Sequence, residues 1–442
     1  MGMIDSLNKR FSLLESGIRG TRAFDKIGTI RNVTGLILES EGPEVTIGQV
    51  CTIVSERHNL EMEAEVVGFN ENSVLLMALD SVHSIHPGCK VISRKNSNSV
   101  PSGSALLGRV IDGMGRPIDG KGPLLTEDRE GFHSEPPNPL KRMLIRDSFS
   151  TGIKSIDTCI PLGIGQRVGI FAGSGVGKSI LLGMIARGSS SDVNVISLVG
   201  ERGRELREFI ENDLGAEGLS KSVIVVSTSD QTAPMRIRAS NLATAIAEGF
   251  RDDGKNVLLL MDSLTRFAMA QREIGLAAGE PPASRGYVPS VFSVLPKLLE
   301  RTGTNDMGAI TAIYTVLVEG DDMNEPVADA VRGFLDGHIV LSRKLANANH
   351  FPAIDILRSV SRLDRAVCSE NEISLISNVR DLLSLYKQNE DLINVGAYVK
   401  GSNPKIDLAI EKFPEIEKFL RQRYDELWTR NQSLEQLSSV FA

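Results

Sequence analysis

The spacing of apolar positions changes character several times along the chain. At the amino terminus Ile4, Leu7, Phe11 and Leu14 recur every three or four residues, which predicts an amphipathic helix over residues 1–20. Its stripe either packs on its own domain or, lying at a chain terminus, docks a partner. From about residue 28 to 95 the pattern shortens to strand-like runs: Gly35–Leu38, Gln49–Val54, Met62–Val67, Val74–Met77 and Lys90–Ser93. Turn residues such as Glu41-Gly42-Pro43 and Asn70-Glu71-Asn72 separate them. Met62, Ala64 and Val66 alternate with glutamates, as a half-buried strand requires. These runs predict a small β-barrel over residues 21–98. The polar, breaker-rich stretch from Lys95 to Gly103 marks the boundary that follows.

Across residues 99–367 the apolar runs become continuous: Val168–Phe171, Val195–Val199, Val223–Val226, Val257–Met261, Ala309–Val316 and Ile339–Leu341, with helical stretches between them. Strands without polar alternation are buried on both faces, so an α/β domain with a parallel sheet is expected. Residues 368–442 turn helical. Ile373, Ile376, Val379 and Leu383 make one stripe, and Ile416, Phe419, Leu420, Tyr424 and Leu427 another.

Composition narrows the class. The 442 residues are 41% hydrophobic and 24% charged, values of an ordinary globular protein. The formal net charge of −7 argues against a general nucleic-acid binder, which needs a basic surface. No apolar run approaches a membrane helix and no signal peptide opens the chain. Met1-Gly2-Met3-Ile4-Asp5-Ser6 fits the loose myristoylation pattern, a short motif that often arises by accident. The four cysteines lie far apart, with no metal-binding spacing.

The strongest chemical signal is Ala172-Gly173-Ser174-Gly175-Val176-Gly177-Lys178-Ser179. It follows one apolar run and precedes the helix-like Ile180–Ala186, the context of a phosphate-binding loop. Small residues let backbone N–H groups converge on phosphates, and the next helix adds its positive end. Lys178 is expected on the β- and γ-phosphates and the Ser179 hydroxyl on Mg²⁺. Ala172 stands where the motif has Gly, which serves provided that φ stays negative. Asp262 ends the run Val257–Met261 at the sheet edge where ligands bind. It is expected in the Mg²⁺ shell, through water. Glu201, in Gly200-Glu201-Arg202-Gly203-Arg204-Glu205, is the first acid off another strand and the candidate to orient or deprotonate the attacking water.

With these residues in view, the chain resembles the α/β family of rotary-type ATPases, and within it the type III protein-export ATPases. The signature Pro352-Ala353-Ile354-Asp355-Ile356-Leu357-Arg358-Ser359-Val360-Ser361 carries much of the likeness, as do Glu280–Tyr287 and Asp321–Pro326. Leu392–Tyr398 and Lys400–Pro404 lean toward the flagellar branch over the injectisome branch. The resemblance implies a β-barrel, a RecA-like nucleotide domain and a helical carboxy-terminal domain. It also implies a homo-hexameric ring that hydrolyses ATP with Mg²⁺ at subunit interfaces. By position, it makes Glu201 the catalytic carboxylate and has Arg202 support the phosphates. Arg266 falls near the site, and Arg362 is an arginine finger acting in trans. Gly173, Ser174, Gly175, Val176, Gly177, Lys178, Ser179 and Ile180 cradle the nucleotide, with Phe351 stacked on adenine. The implied partners are a regulatory subunit on the amino-terminal helix, the export gate and chaperone–substrate complexes. There is no sequence-specific nucleic acid and at most peripheral membrane association. The expected location is cytoplasmic, at the inner face of the bacterial membrane.

Three other readings compete. A catalytic subunit of an ATP synthase or V-type motor is disfavoured by the export-type segments. A Rho-like RNA-dependent ATPase is disfavoured by the negative charge and by the lack of an aromatic-basic run in the β-domain. A nucleotide-binding subunit that does not hydrolyse would lack the carboxylate that Glu201 supplies.

Overall fold

The structure is a computed structural model. It describes residues 27–71, 73–80, 85–94, 98–318, 320 and 322–441. The amino-terminal stripe and its docking role lie outside the described residues. The chain forms two compact units that divide between Ser97 and Asn98.

The first unit is a closed six-stranded barrel: β1 (Ile27–Thr34), β2 (Ile37–Glu41), β3 (Val50–Ser55), β4 (Leu60–Asn70), β5 (Ser73–Ala78) and β6 (Lys90–Ser93), in the order β1-β2-β5-β4-β3-β6. Alternation along β3 and β4 sends Cys51, Ile53, Ala64 and Val66 into one core. The expected strand Gly35–Leu38 is displaced, because Gly35 takes φ 59° and turns the chain from β1 into β2.

In the second unit, Ser99–Ser102 pairs with Glu127–Glu130, so a strand begins inside the breaker-rich stretch. The main sheet has nine strands, one of them the short Gly303–Thr304, which pairs antiparallel with the Ala309–Leu317 strand at the side of the main order. We label β7 (Arg109–Asp112), β8 (Arg167–Ala172), β9 (Val193–Glu201), β10 (Ser222–Thr228), β11 (Asn256–Asp262), β12 (Ala309–Leu317), β13 (Gly337–Val340) and β14 (Val360–Ser361). Their order is β14-β13-β8-β12-β11-β9-β10-β7, and β7 to β13 run parallel. Successive β9 side chains enter two separate cores: Val193, Val195 and Val199 on one face, Ile196 and Leu198 on the other. That two-sided burial is why these strands read as unbroken apolar runs.

The helices α1 (Lys178–Gly188), α2 (Ala233–Asp252) and α3 (Leu264–Ala277) cover the sheet. The carboxy-terminal helices α4 (Glu370–Asn394), α5 (Pro404–Leu420) and α6 (Arg430–Phe441) pack within the same unit. Ile376 and Val379 of the first expected stripe are buried in α4. The second stripe stops short: α5 ends at Leu420, Arg421 is extended, and Tyr424 and Leu427 are exposed. Among the described residues no helix is long and apolar enough to cross a membrane.

Candidate nucleotide site

The phosphate-binding loop, Gly173–Gly177, joins the carboxyl end of β8 to the first turn of α1. Ala172 remains a buried strand residue, outside the left-handed region, so its Cβ is accommodated. Gly177 caps α1 at φ 87°, and a Cβ there would stand 3.4 Å from the Phe351 ring. Val176 is buried beneath the loop, while Ser174, Gly175, Ser179 and Ile180 face outward. The loop thus presents its backbone, with the start of α1 behind it.

Three side chains from neighbouring strands converge here. The Lys178 ammonium donates to Asp262 Oδ2, and Thr315 Oγ1 donates to Asp262 Oδ1 at 2.7 Å. Asp262 is buried at the end of β11. Leu198 of β9 pairs with Asp262, which brings Glu201, at the end of β9, onto the same edge. The sequence arranges this with one glycine. Gly200 sits in a bulge at φ 72°, and a Cβ on it would meet the Arg266 side chain at 3.0 Å. Glu201 is half-buried, and its carboxyl is pushed up to about 7. Burial is the main cause and the Asp262 charge adds to it; Lys178 and Arg266 pull the other way. A carboxyl poised near neutrality suits a general base.

Arg266 keeps its Nε buried without a hydrogen-bond partner, an unused donor beside the loop. Arg202 is not brought to this cluster. It is 80% exposed and pairs loosely with Glu205 at 3.4 Å, because the next helix, Gly203–Glu208, starts at once and turns it outward.

For Mg²⁺ the nearby protein oxygens are the Ser179 hydroxyl and the Asp262 carboxylate. Among the described residues no group of three or more His, Cys, Asp or Glu could hold a metal. An all-oxygen pair that leaves the rest of the shell to water and phosphate fits Mg²⁺, which dehydrates reluctantly.

Beside the loop opens a cleft of about 520 Å³, lined by Gly177, Ile180, Phe351, Arg421 and Tyr424 among others. Phe351 and Tyr424 are large rings left 41% and 62% exposed, as a stacking surface needs. Sequence reasoning placed Phe351 here and missed Tyr424, which it assigned to a helical stripe. The signal available was Tyr424's aromatic ring in a polar stretch, Arg421-Gln422-Arg423-Tyr424-Asp425.

Arg362 lies at the opposite end of the sheet. Ser361 in β14 pairs with Gly337 in β13, and His338 pairs with Gly169 in β8. The Arg362 N–H donates to Asp336 O at 3.0 Å, and Asp336 Oδ2 accepts from Arg167 N at 3.1 Å. Arg362 is therefore level with the start of β8, whereas the loop follows its end. The six residues of β8 at about 3.3 Å each put roughly 20 Å between them. The Arg362 side chain is exposed and donates to Arg332 O at 3.4 Å.

Comparison with known proteins agrees with this layout. Residues 152–361 match the ATP synthase alpha/beta family, nucleotide-binding domain; residues 30–95 match its beta-barrel domain; residues 368–439 match the T3SS EscN ATPase C-terminal domain. The "Flagellum-specific ATP synthase" of Bacillus subtilis is 53% identical over 96% of this chain and 97% of its own. The "Type 3 secretion system ATPase" of Sinorhizobium fredii is 48% identical over 90% of this chain and 89% of its own. The assembled ATPase EscN from the type III secretion system of enteropathogenic E. coli superposes with a TM-score of 0.88 at 46% identity, covering 94% of this chain and all of that one.

Proposed function

We propose that this chain, which belongs to the ATP synthase alpha/beta family and within it to the flagellar and type III secretion ATPases, hydrolyses ATP to energise or prime flagellar protein export. The observation that carries the chemistry is the convergence of Lys178, Asp262 and Glu201 on one sheet edge beside the phosphate-binding loop. The 53% identity to a flagellar relative supports the flagellar branch; recovery of injectisome rather than flagellar export components with the native protein would reverse that choice.

In this reading Lys178 leaves Asp262 for the β- and γ-phosphates, while the loop amides and the Arg266 guanidinium take phosphate oxygens. Ser179, and Asp262 through water, would hold Mg²⁺, which would neutralise charge on the phosphates. Glu201 accepts a proton from the attacking water or orients it. Phe351 and Tyr424 flank the adenine. Export ATPases assemble, as the EscN structure does, and a homo-hexameric ring would give each loop a neighbour's Arg362. A regulatory subunit on the amino-terminal segment, the export gate and chaperone–substrate complexes are the partners, met in the cytoplasm at the membrane's inner face.

Glu201→Gln tests the reading. It keeps the side chain's shape and removes the base, so turnover is expected to fall about 10²–10⁴-fold with Mg-ATP binding retained. A variant that loses binding but keeps its saturated rate would make Glu201 structural. A pH dependence accompanies it. Glu201 is raised to about 7, so its carboxylate is withdrawn as pH falls through 7 and hydrolysis declines with it. Stability runs the other way: the unfolded carboxyl ionises near 4.5 and the folded one only near 7, so stability is lost as pH rises between those values and stays lost above them. Glu201→Gln should therefore melt higher than wild type at pH 8, with the gap closing toward pH 5.

Tyr424→Ala is expected to raise KM for ATP with kcat little changed. Aromatic stacking on a base is worth about 1–3 kcal/mol, or roughly 5- to 100-fold. Tyr424→Phe should restore it. An unchanged KM in the alanine variant would remove Tyr424 from the adenine site.

A further inference from the structure

Across the Asn349–Phe351 turn from the nucleotide cleft lies a second cavity, of about 270 Å³. Helix Arg343–Asn347, the segment Ile354–Leu357 and the helices α4 and α5 wall it. Its body is apolar. Leu345, Ile354, Leu383 and Leu420 line it, and Tyr386 and Phe413 stack against each other with ring centroids 3.6 Å apart. An apolar cavity of about 150 Å³ takes benzene, so this one has room for two fused rings.

Its wall also carries hydrogen-bonding capacity that the fold leaves unspent. His350 is 4% exposed, and its Nδ1 has no hydrogen-bond partner. The nearest acid, Glu417, stands 3.7 Å away and already accepts from Arg421 at 2.9 Å. Asp355 is buried too. Its Oδ1 accepts from Leu357 N and Arg358 N. Its Oδ2 lies 3.6 Å from the Lys387 ammonium, which is on a half-exposed side chain. At the rim Lys344 pairs with Glu390 at 3.1 Å. The lining therefore sets two lysines against Asp355, Glu390 and Glu417. Burial pushes the His350 imidazole below its usual range, which keeps it neutral and able to accept a hydrogen bond at one ring nitrogen. With Glu417 held by Arg421 and Glu390 by Lys344, Asp355 is the least tightly paired of these acids, and its free acceptor capacity in an apolar-bodied cavity selects a ligand with donors and positive charge.

We propose that this cavity is a ligand site separate from the nucleotide cleft, and that it takes a flat aromatic amine or amidine of one or two rings. The rings lie among Leu345, Leu383 and the Tyr386–Phe413 pair. The cationic nitrogen replaces the Lys387 ammonium at Asp355 Oδ2. Lys387 itself has solvent to turn to, so the exchange strands no buried charge.

Calorimetric titration of the full chain with tryptamine tests the site, with indole-3-propionate as a probe of the same ring and opposite charge. Tryptamine is expected to bind saturably, one per chain, with saturating ADP present, and the propionate at least about tenfold more weakly. Leu345→Trp, which fills the cavity, and Asp355→Asn, which keeps the shape and drops the charge, should each weaken tryptamine by about tenfold or more. Lys387→Met removes the competing cation and should tighten it. Lys178→Ala, outside this cavity, should bind tryptamine as wild type does even though its hydrolysis is lost, which keeps failure here distinct from failure of the ATPase reading. Absence of saturable binding, displacement by ADP, equal affinity for the two probes, or weaker binding by Lys387→Met would each overturn the proposal. Should Leu345→Trp melt early, the Asp355 and Lys387 variants decide.

Discussion

Lys178→Ala is expected to abolish ATP hydrolysis, with a loss of about 10³-fold or more in kcat/KM, because on the proposed reading its ammonium serves both phosphate binding and the transition state. The structure adds a second consequence. Lys178 and Asp262 pair with only 12% and 5% of their side chains exposed. Without the lysine, Asp262 keeps the Thr315 hydroxyl on Oδ1 and loses its paired cation on Oδ2. Stranding one member of a buried pair costs up to about 3–5 kcal/mol, so the alanine variant should also melt early. That raises an ambiguity which a double variant removes. Lys178→Ala with Asp262→Asn neutralises the stranded carboxylate and should recover the melting temperature, yet remain inactive. Hydrolysis above about a tenth of wild type in either variant would mean that Lys178 supplies no transition-state charge.

How far the sequence reveals this site depends on how local the determining physics is. The loop is legible because its function is written in backbone terms. Glycines permit the turn, and Lys178 and Ser179 follow at fixed spacing on one helical turn. The strands around it are legible because burial on both faces leaves unbroken apolar runs, and Asp262 and Glu201 inherit their positions from the ends of those runs. Register then does the rest: Leu198 pairs with Asp262, and Glu201 must emerge on the same edge.

Tyr424 and Arg202 were not legible, for opposite reasons. Helical spacing from Ile416 onward carries through Tyr424, so only a tertiary cause can end the helix at Leu420. That cause is Gln422. Its N–H donates to Phe351 O at 3.0 Å, its Nε2 to Gly152 O at 2.9 Å, and its Oε1 accepts from Lys154 N at 2.9 Å. These partners lie far away in sequence, and meeting them requires the extended chain that exposes Tyr424 in the cleft. Arg202 is decided locally instead: its motif position implies phosphate, while its own helix and Glu205 place its side chain in solvent. Gly35 is a smaller case, where one left-handed residue moved a strand.

Arg362→Ala is expected to lose about 10³–10⁵ in rate, or about 4–7 kcal/mol, although Arg362 never approaches its own loop. The sheet sets this up. Gln166 is fully buried just before β8, and its Nε2 donates to both Asp336 O and Ser361 Oγ at 3.1 Å. Ser359 Oγ in turn donates to Asp355 O at 2.6 Å and accepts from Val340 N. The serines of the signature thus anchor the strand that presents Arg362 outward, roughly 20 Å along β8 from the loop. An arginine held there is too far to reach its own loop, so on the proposed reading it serves a neighbour's phosphates, and activity per chain is then expected to rise with protein concentration. Mixing tests the direction of action. Arg362→Ala and Lys178→Ala chains are each expected to be inactive alone. Together they create interfaces that pair an intact Lys178 with an intact Arg362, and partial activity should return. If native mass spectrometry shows mixed rings and no activity returns, either Arg362 acts in cis or turnover needs the whole ring. An Arg362→Ala chain that hydrolyses ATP normally on its own would end the assignment, and the anchored strand would then serve packing alone.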